Sequence, residues 1–340
     1  MIFVPFRYHS IVMTPLTLAQ KASRLLELHH ASQPLVLINA WDAASAAMVE
    51  HCGLPAIATS SAATANALGF PDGQYIPWSQ MLEAVARVCR AVKVPVTADI
   101  ESGFAANVTA LETSIAQIIQ AGAVGVNLED VMPANPDLQS NELQNKQAEA
   151  KDANPQPTPA NIRHGSPLFP LQEQIARIQA TRRAGNAAGI HLVINARTDA
   201  YWQAGVEPAE AMRNTLERAK AYLHAGADCI FIPGLRNPDH IKTVIDYLIA
   251  NPPPTDPLPA DRLSIEHGEP AINILAGPGV PSIPELAKLG VKRVSYGSGP
   301  HRAAMGLLRR IASEANSSGT FKALTEGAVP YEEINGLFQK

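Results

Sequence analysis

Carboxylates, an arginine and small polar residues recur where short apolar runs end. Asp99 and Glu101 close one run in Thr97-Ala98-Asp99-Ile100-Glu101-Ser102-Gly103-Phe104. Residues i and i+2 of an extended chain point the same way, so these two acids could hold a hard divalent cation such as Mg2+, directly or through water. A pair of solvated loop acids would read the same. Glu129-Asp130 ends a second run and Arg197-Thr198-Asp199 a third. An arginine fork binds a carboxylate through two parallel hydrogen bonds. Together the three run-ends read as a metal and carboxylate-substrate site, and an ion pair of Arg197 with Glu129 or Asp199 is compatible with it. Ser60-Ser61-Ala62-Ala63 closes a further run. Small residues there let backbone N–H groups approach an anionic oxygen, although a serine-capped helix start has the same spelling. Ser295-Tyr296-Gly297-Ser298-Gly299 follows the last run; it is a phosphate loop of the kind many barrels carry or a plain glycine turn. His51, His164, His191, His224, His267 and His301 show no HxH or HxxxH spacing, which argues against zinc. No GxSxG elbow or GxxxxGK[ST] loop is present.

The elements that must position these residues alternate. Eight runs read as strands: Leu35–Ile38, Ala56–Thr59, Val94–Ala98, Ala123–Leu128, His191–Asn195, Cys229–Ile232, Ala271–Leu275 and Val291–Ser295. Each is short and largely apolar, as parallel strands covered on both faces are. Helical patterns separate them. Thr14-Pro15 is expected to open one, Glu207-Pro208 another that stops near Gly226, and the capping-box spelling Ser282-Ile283-Pro284-Glu285 a third that Gly290 closes. Eight strands alternating with helices predict a (β/α)8 barrel of the TIM type, with a doubly wound sheet as the alternative. In a barrel all the run-ends above share one mouth. The expected division is an N-terminal extension and leading helix over 1–33, the barrel over 34–310, and a C-terminal helical segment over 311–340. An Asn/Gln/Pro-rich insertion at about 133–170 interrupts the barrel after the fourth strand and reads as a lid or a loose loop. Asn251–Pro259 reads as a surface connection.

Composition narrows the function classes. The 340 residues are 46% hydrophobic and 17% charged, enough for a sizeable core. The net charge of −4 offers no global basic field for nucleic acid or an anionic membrane. No apolar stretch approaches the roughly 20 residues that span a bilayer. Residues 1–13 lack a continuous apolar core and a cleavage site, so no secretory signal is read there, and Met13 is an alternative start to Met1. Cys52, Cys89 and Cys229 are too few and too scattered for a disulfide framework. A cytoplasmic protein is expected.

In order along the chain, the runs Asn39-Ala40-Trp41-Asp42-Ala43-Ala44-Ser45-Ala46, Thr59-Ser60-Ser61-Ala62, Leu68-Gly69-Phe70-Pro71-Asp72-Gly73, Asp99-Ile100-Glu101-Ser102-Gly103-Phe104, Asn127-Leu128-Glu129-Asp130 and Ala196-Arg197-Thr198-Asp199 resemble the isocitrate lyase/phosphoenolpyruvate mutase superfamily. The resemblance spans about Leu35 to Met305, the insertion excepted. It implies a barrel whose last helix is exchanged between subunits of a homodimer or homotetramer, with Mg2+ or Mn2+ and a small 2-oxo-acid substrate. The implied chemistry makes or breaks a C–C or C–P bond through an enolate. Asp99 would be the most direct metal ligand, with Asp72, Glu101 and Glu129 holding its waters. Ser60, Ser61 and Ala62 would bind the substrate carboxylate through their amides, with Trp41, Asp42 and Asn273 also at the substrate. Arg197 and Glu129 would be catalytic.

The sequence also departs from the superfamily pattern. The lyases' Lys-Lys/Arg-Cys-Gly-His loop is replaced by Val131-Met132-Pro133 and the insertion, Pro233-Gly234 stands where lyases have Glu and mutases His, and Ala58 replaces an aromatic. Glu101 stands where aspartate is commoner. These departures favour oxaloacetate decarboxylation, with phosphonopyruvate or phosphoenolpyruvate C–P chemistry and an inactive binding barrel as alternatives.

Overall fold

All eight expected runs form strands, and all pair in parallel. The computed structural model describes residues 16–133, 166–253 and 270–339. The first run is split into β1 (Leu35–Leu37) and β2 (Asn39–Ala40). The others are β3 (Ile57–Thr59), β4 (Val96–Asp99), β5 (Gly125–Glu129), β6 (Val193–Arg197), β7 (Cys229–Phe231), β8 (Ala271–Leu275) and β9 (Arg293–Ser295). Their order is β1-β9-β8-β7-β6-β5-β4-β3-β2. Since β1 pairs with β9 and β2 with β3, the single run Leu35–Ala40 closes the ring. This excludes the doubly wound alternative and makes the fold a (β/α)8 barrel.

The helices that cover the ring are α1 (Leu18–His29), α2 (Ala43–His51), α3 (Ser61–Ala67), α4 (Trp78–Ala91), α5 (Val108–Gln120), α6 (Leu171–Ala187), α7 (Pro208–His224), α8 (Pro238–Ala250) and α9 (Ile283–Leu289). Helix α10 (Gly299–Ser317) leaves the ring with His301 as its one buried residue. The short α11 (Lys322–Thr325) and α12 (Tyr331–Gly336) follow. Apolar side chains on the outside of the strands pack against these helices. Leu128, Ile194, Ile230, Ile272 and Ile274 are fully buried there with Leu111, Ile115 and Ile118 of α5. Two expected helix signals hold as spelled: Ser282 and Glu285 form the capping box of α9, and Gly290 ends it at φ 94°. The first helix is corrected. Thr14 and Pro15 lie outside the described residues, and the cap is Thr17, whose hydroxyl and Gln20 form the capping box of α1. Residues 134–165 of the insertion, residues 1–15 and most of the second Pro-rich stretch also fall outside the described residues.

Inside the ring the filling is polar, unlike the branched aliphatic layers usual in such barrels. One polar contact ties the ring to the leading helix. His29, at the end of α1, is buried, with Nδ1 2.7 Å from the Leu25 carbonyl and Nε2 3.2 Å from Nη1 of Arg293. The carbonyl requires Nδ1–H, so Nε2 accepts from the arginine. Burial, with Arg293 alongside, pushes the imidazole down to about 3. An unfolded histidine binds a proton below about 6.5, while the folded one does not until near 3. The stability held at neutral pH therefore drains away as pH falls through this window, at about 1.4 kcal/mol per pH unit from this residue. Denaturant melts at pH 6, 5 and 4 should show that slope, and His29→Gln should lower it by one proton.

Candidate active site

The strands' C-terminal ends enclose a cavity of about 190 Å3. Of the residues expected at the site, Ser60, Ser61, Ala62, Asp72, Asp99, Arg197 and Asn273 line it. Asp99, the last residue of β4, is fixed from three sides. Its Oδ2 accepts from the Ser61 amide at 2.9 Å and the Ser61 hydroxyl at 2.7 Å. Its Oδ1 accepts from Asn127 Nδ2 at 2.9 Å, and its amide donates to Thr59 Oγ1 at 2.9 Å. The Ser61 end of α3 and strand β5 thus set the carboxylate's rotamer, while β3 holds the backbone behind it.

Ser61 therefore faces Asp99, which differs from the carboxylate-binding role the resemblance implies. The Ser60 amide is also engaged, donating to Ala40 O at 3.1 Å, and the Ser60 hydroxyl caps α3. The serine-capped helix start is the correct reading of that segment, and the two serine amides serve the protein's own structure.

Glu101 corrects a second expectation. β4 ends at Asp99, and Glu101 has left-handed backbone at φ 52°, so the two acids are not successive on one extended face. Glu101 is buried in the turn, and its Oε1 accepts from the Gln74 amide at 3.2 Å. Gln74 also donates to Ser102 Oγ at 2.6 Å and accepts from Phe104 N at 2.8 Å. This buried glutamine, which the sequence reading passed over, stitches the Asp72 loop to the Glu101 loop. Gly103 closes the turn at φ 98°, and a Cβ there would collide with Leu111 Cδ1. Gly103→Ala should cost roughly 1–3 kcal/mol from strain and overpacking, read as a lower melting temperature, and should loosen the acid-bearing turn.

Arg197, the last residue of β6, is buried between two carboxylates. Its Nε is 2.6 Å from Asp199 Oδ1, its Nη2 2.7 Å from Asp199 Oδ2 and its Nη1 2.9 Å from Glu129 Oε2. Burial alone would weaken its hold on the proton, but Asp199 and Glu129 keep it well above the usual arginine range. The guanidinium has five N–H donors, of which these contacts use three. Asp130 holds the assembly from behind: its Oδ1 accepts from the Asp199 amide at 3.0 Å, and its Oδ2 from Tyr222 Oη at 2.7 Å and Arg218 at 3.2 Å. Burial raises the Asp130 carboxyl above the ordinary range, against the pull of Arg218. From α6, Gln174 donates to the Glu129 carbonyl at 3.3 Å, and fully buried Arg177 donates to the Ser102 carbonyl.

The donor set can be tested for a divalent cation. Among the described residues no group of three or more His, Cys, Asp or Glu side chains converges closely enough to cage one directly. A carboxylate has about four lone-pair sites. Asp99 uses two on Oδ2, and its Oδ1 takes Asn127 Nδ2 at 2.9 Å and the Glu101 amide at a long 3.5 Å, so Oδ1 is the more weakly held oxygen, at a cavity that Asp72 also lines. One direct carboxylate with further acids acting through water is how Mg2+, which dehydrates reluctantly, is commonly held. The residues fit such an ion.

Several expected residues are placed elsewhere. Trp41 and Asp42 do not line the cavity. The Asp42 carboxylate caps α2, accepting from the Ser45 amide at 2.7 Å, and Trp41 meets the His301 ring edge-on at 5.2 Å. The amides of Tyr296 and Gly297 both donate to Asn39 Oδ1, at 2.9 and 2.8 Å, so the glycine loop after β9 is pinned by a side chain. No cysteine lines the cavity. Burial pushes the thiols of Cys89 and Cys229 up to about 12, and Cys52 caps the end of α2. Ala58 and Pro233 do line it, at the positions where the resemblance expects bulkier or ionisable side chains. The sequence reading missed Asn39, Thr97, Asn127, Asn195 and Arg293, all of which line the cavity.

Comparison with known proteins agrees with this architecture. A family model described as phosphoenolpyruvate phosphomutase matches residues 25–316. A crystal structure from Burkholderia cenocepacia, provisionally described as a phosphonomutase, shares 34% identity and a TM-score of 0.69, covering 88% of this chain and 100% of that one. Oxaloacetate decarboxylase of Pseudomonas fluorescens is 27% identical over 246 residues, covering 72% of this chain and 67% of its own. A phosphonopyruvate hydrolase solved with oxalate and Mg2+ has the same fold, with 21% identity, a TM-score of 0.69 and coverage of 93% and 94%. The chain belongs to the phosphoenolpyruvate phosphomutase family, within the isocitrate lyase/phosphoenolpyruvate mutase superfamily.

Proposed function

We propose that the protein is a divalent-cation-dependent lyase that cleaves a small 2-oxo acid through an enolate, with oxaloacetate decarboxylation as the reaction. The observation that carries this reading is the cavity's pairing of the Asp99 and Asp72 carboxylates with Arg197 in the absence of any cavity thiol. Asp99, with Asp72, Glu101 and Glu129 acting through water, would hold Mg2+ or Mn2+. When bound, the cation supplies Lewis-acid stabilisation of the charge that develops on the substrate's 2-oxo oxygen.

The chain's own residues do the rest. Arg197 has two N–H donors left after its carboxylate contacts and offers them, already oriented, to that same oxygen. Ser61 and Asn127 keep Asp99 from rotating away. Ala62 and Asn273 contact the substrate's carboxylate end. Loss of CO2 leaves an electron pair on C3 that becomes the enolate, which takes a proton from solvent to give pyruvate. The cleavage itself needs no proton removed from the substrate, and reversal of the protonation exchanges the methyl protons of pyruvate. An isocitrate-type cleavage requires an acid/base partner, and the lyase cysteine that fills that role is missing.

C–P cleavage is kept as a second reading because of the likeness to the Burkholderia protein described as a phosphonomutase. Homo-oligomerisation is supported by the apolar side chains Met305, Leu308, Phe321, Leu324 and Tyr331 exposed on the C-terminal helices. Among the described residues no helix is long and apolar enough to cross a membrane, and a cytoplasmic setting remains part of the proposal.

A panel of oxaloacetate, phosphonopyruvate and methylisocitrate, assayed for pyruvate with Mg2+ and with EDTA, tests the reading. EDTA-sensitive turnover of oxaloacetate is the expected result. Turnover of phosphonopyruvate alone would establish the second reading. No turnover above the metal-only background would leave a binding barrel.

A further inference from the structure

The cavity holds a second cationic side chain, and no carboxylate among the described residues pairs with it directly. Arg293 begins β9, in register with Leu35 of β1 and Asn273 of β8. It is 2% exposed and lines the cavity floor below Ser295. Its Nη1 donates to His29 Nε2 at 3.2 Å, and its Nε has no acceptor. His29 is neutral, so it is a hydrogen-bond partner and not a counter-ion. Arg197 has Asp199 and Glu129, Arg182 has Asp228 and Arg218 has Asp130. Arg177 of α6 is also buried with no ion pair among the described residues, but it donates to the Ser102 and Ala105 carbonyls and does not line the cavity. Among the described residues no ion pair joins Arg293 to a carboxylate.

The polarity of the neighbouring amides deepens the mismatch. Asp99 can only accept, so Asn127 must turn its Nδ2 to it, and Asn127 Oδ1 then accepts from Asn195 Nδ2 at 2.9 Å. Asn195 Oδ1 is left buried without a donor, as are Asn273 Oδ1 and Thr97 Oγ1. All three line the same cavity as Arg293. A buried guanidinium without a counter-charge is costly, as is each buried polar atom left unpaired. An anionic group that enters with its bound water or hydroxyl would answer both.

We propose that Arg293 is a specificity-determining anion receptor at the cavity floor. It takes the second acid group of a substrate whose 2-oxo-acid end lies at Asp99 and Arg197, so the site selects dicarboxylates over monocarboxylates. This rests on the 2-oxo-acid reading above and adds to it which end of the substrate goes down.

Calorimetric titration in Mg2+ tests it with two acids that are not decarboxylated, pyruvate with one carboxylate and malate with two. Arg293→Met should weaken malate about 30-fold, the value of a charged hydrogen bond, and change pyruvate less than threefold. Arg293→Lys should recover part of the loss. Equal weakening of both acids, or of neither, overturns the proposal. If Arg293→Met does not fold, the 4-methyl ester of malate on the unmodified protein makes the same test. A loss of about 30-fold on esterification supports the receptor, and unchanged binding overturns it. If neither pyruvate nor malate binds the unmodified protein, the 2-oxo-acid reading itself fails. If pyruvate binds and malate binds no better, only the role of Arg293 fails.

Discussion

Asp99→Asn is expected to lower kcat/KM by about three orders of magnitude, the range seen when a group that stabilises developing charge is removed. The substitution keeps the side chain's shape, and one amide oxygen can still accept from Ser61. It removes the negative charge at the end of β4 and sets an NH2 group against either Ser61 or Asn127, both of which donate to the native carboxylate. Asp99 is only half-buried, so the melting temperature should fall little while Mg2+ affinity and turnover fall together. Calorimetric Mg2+ titration and an activity assay on the same preparation check both. An Asp99→Asn protein that turns over normally would remove the carboxylate from the mechanism.

Arg197→Met should be the most damaging change to the fold among the site residues. Glu129 and Asp199 are each 2% exposed and share this one guanidinium. Removing it takes this cationic partner from two buried carboxylates at once, and breaking a buried pair on one side costs about 3–5 kcal/mol. For a chain of this size that is a fall in melting temperature of about 4–7 °C. Arg197→Lys should recover part of the stability but not the activity, since an ammonium cannot bond both Asp199 oxygens and Glu129 in one plane. Thermal melts beside kcat/KM for both variants measure the split. Equal activity in Arg197→Lys and the native protein would contradict the oriented-donor role.

The strands were the most legible part of the chain, because each combines a β-branched or apolar run with a Gly, Pro or Asn boundary. Ring closure was not legible. It depends on β1 and β2 reaching different neighbours across Ile38, which a linear pattern does not encode. The family resemblance brought Asp72, Asp99, Arg197 and Asn273 to one cavity. It misplaced Asp42, because Asp before Ala-Ala-Ser is also a plain helix cap, and capping is the use the structure makes of it.

Arg293 was missed for a different reason. In Val291-Lys292-Arg293 it reads as a solvated charge, whereas the register with Asn273 turns it inward. A signal was nevertheless present: Thr97 and Asp99, Asn127 and Glu129, Asn195 and Arg197, and Arg293 and Ser295 are all polar pairs at i and i+2 within strands. Such period-two polarity on strands otherwise apolar on both faces marks a polar barrel interior. Glu101 shows the limit of that rule, since its left-handed backbone breaks the alternation one residue after β4 ends.

The central claim is that this cavity stabilises an enolate with a cation held at Asp99. Exchange of the methyl protons of pyruvate in D2O, followed by NMR with and without Mg2+, tests it without knowledge of the physiological substrate. The account predicts exchange well above the Mg2+-only rate, abolished by EDTA and by Asp99→Asn. Exchange no faster than with Mg2+ alone, from a folded protein that binds the ion, would contradict it.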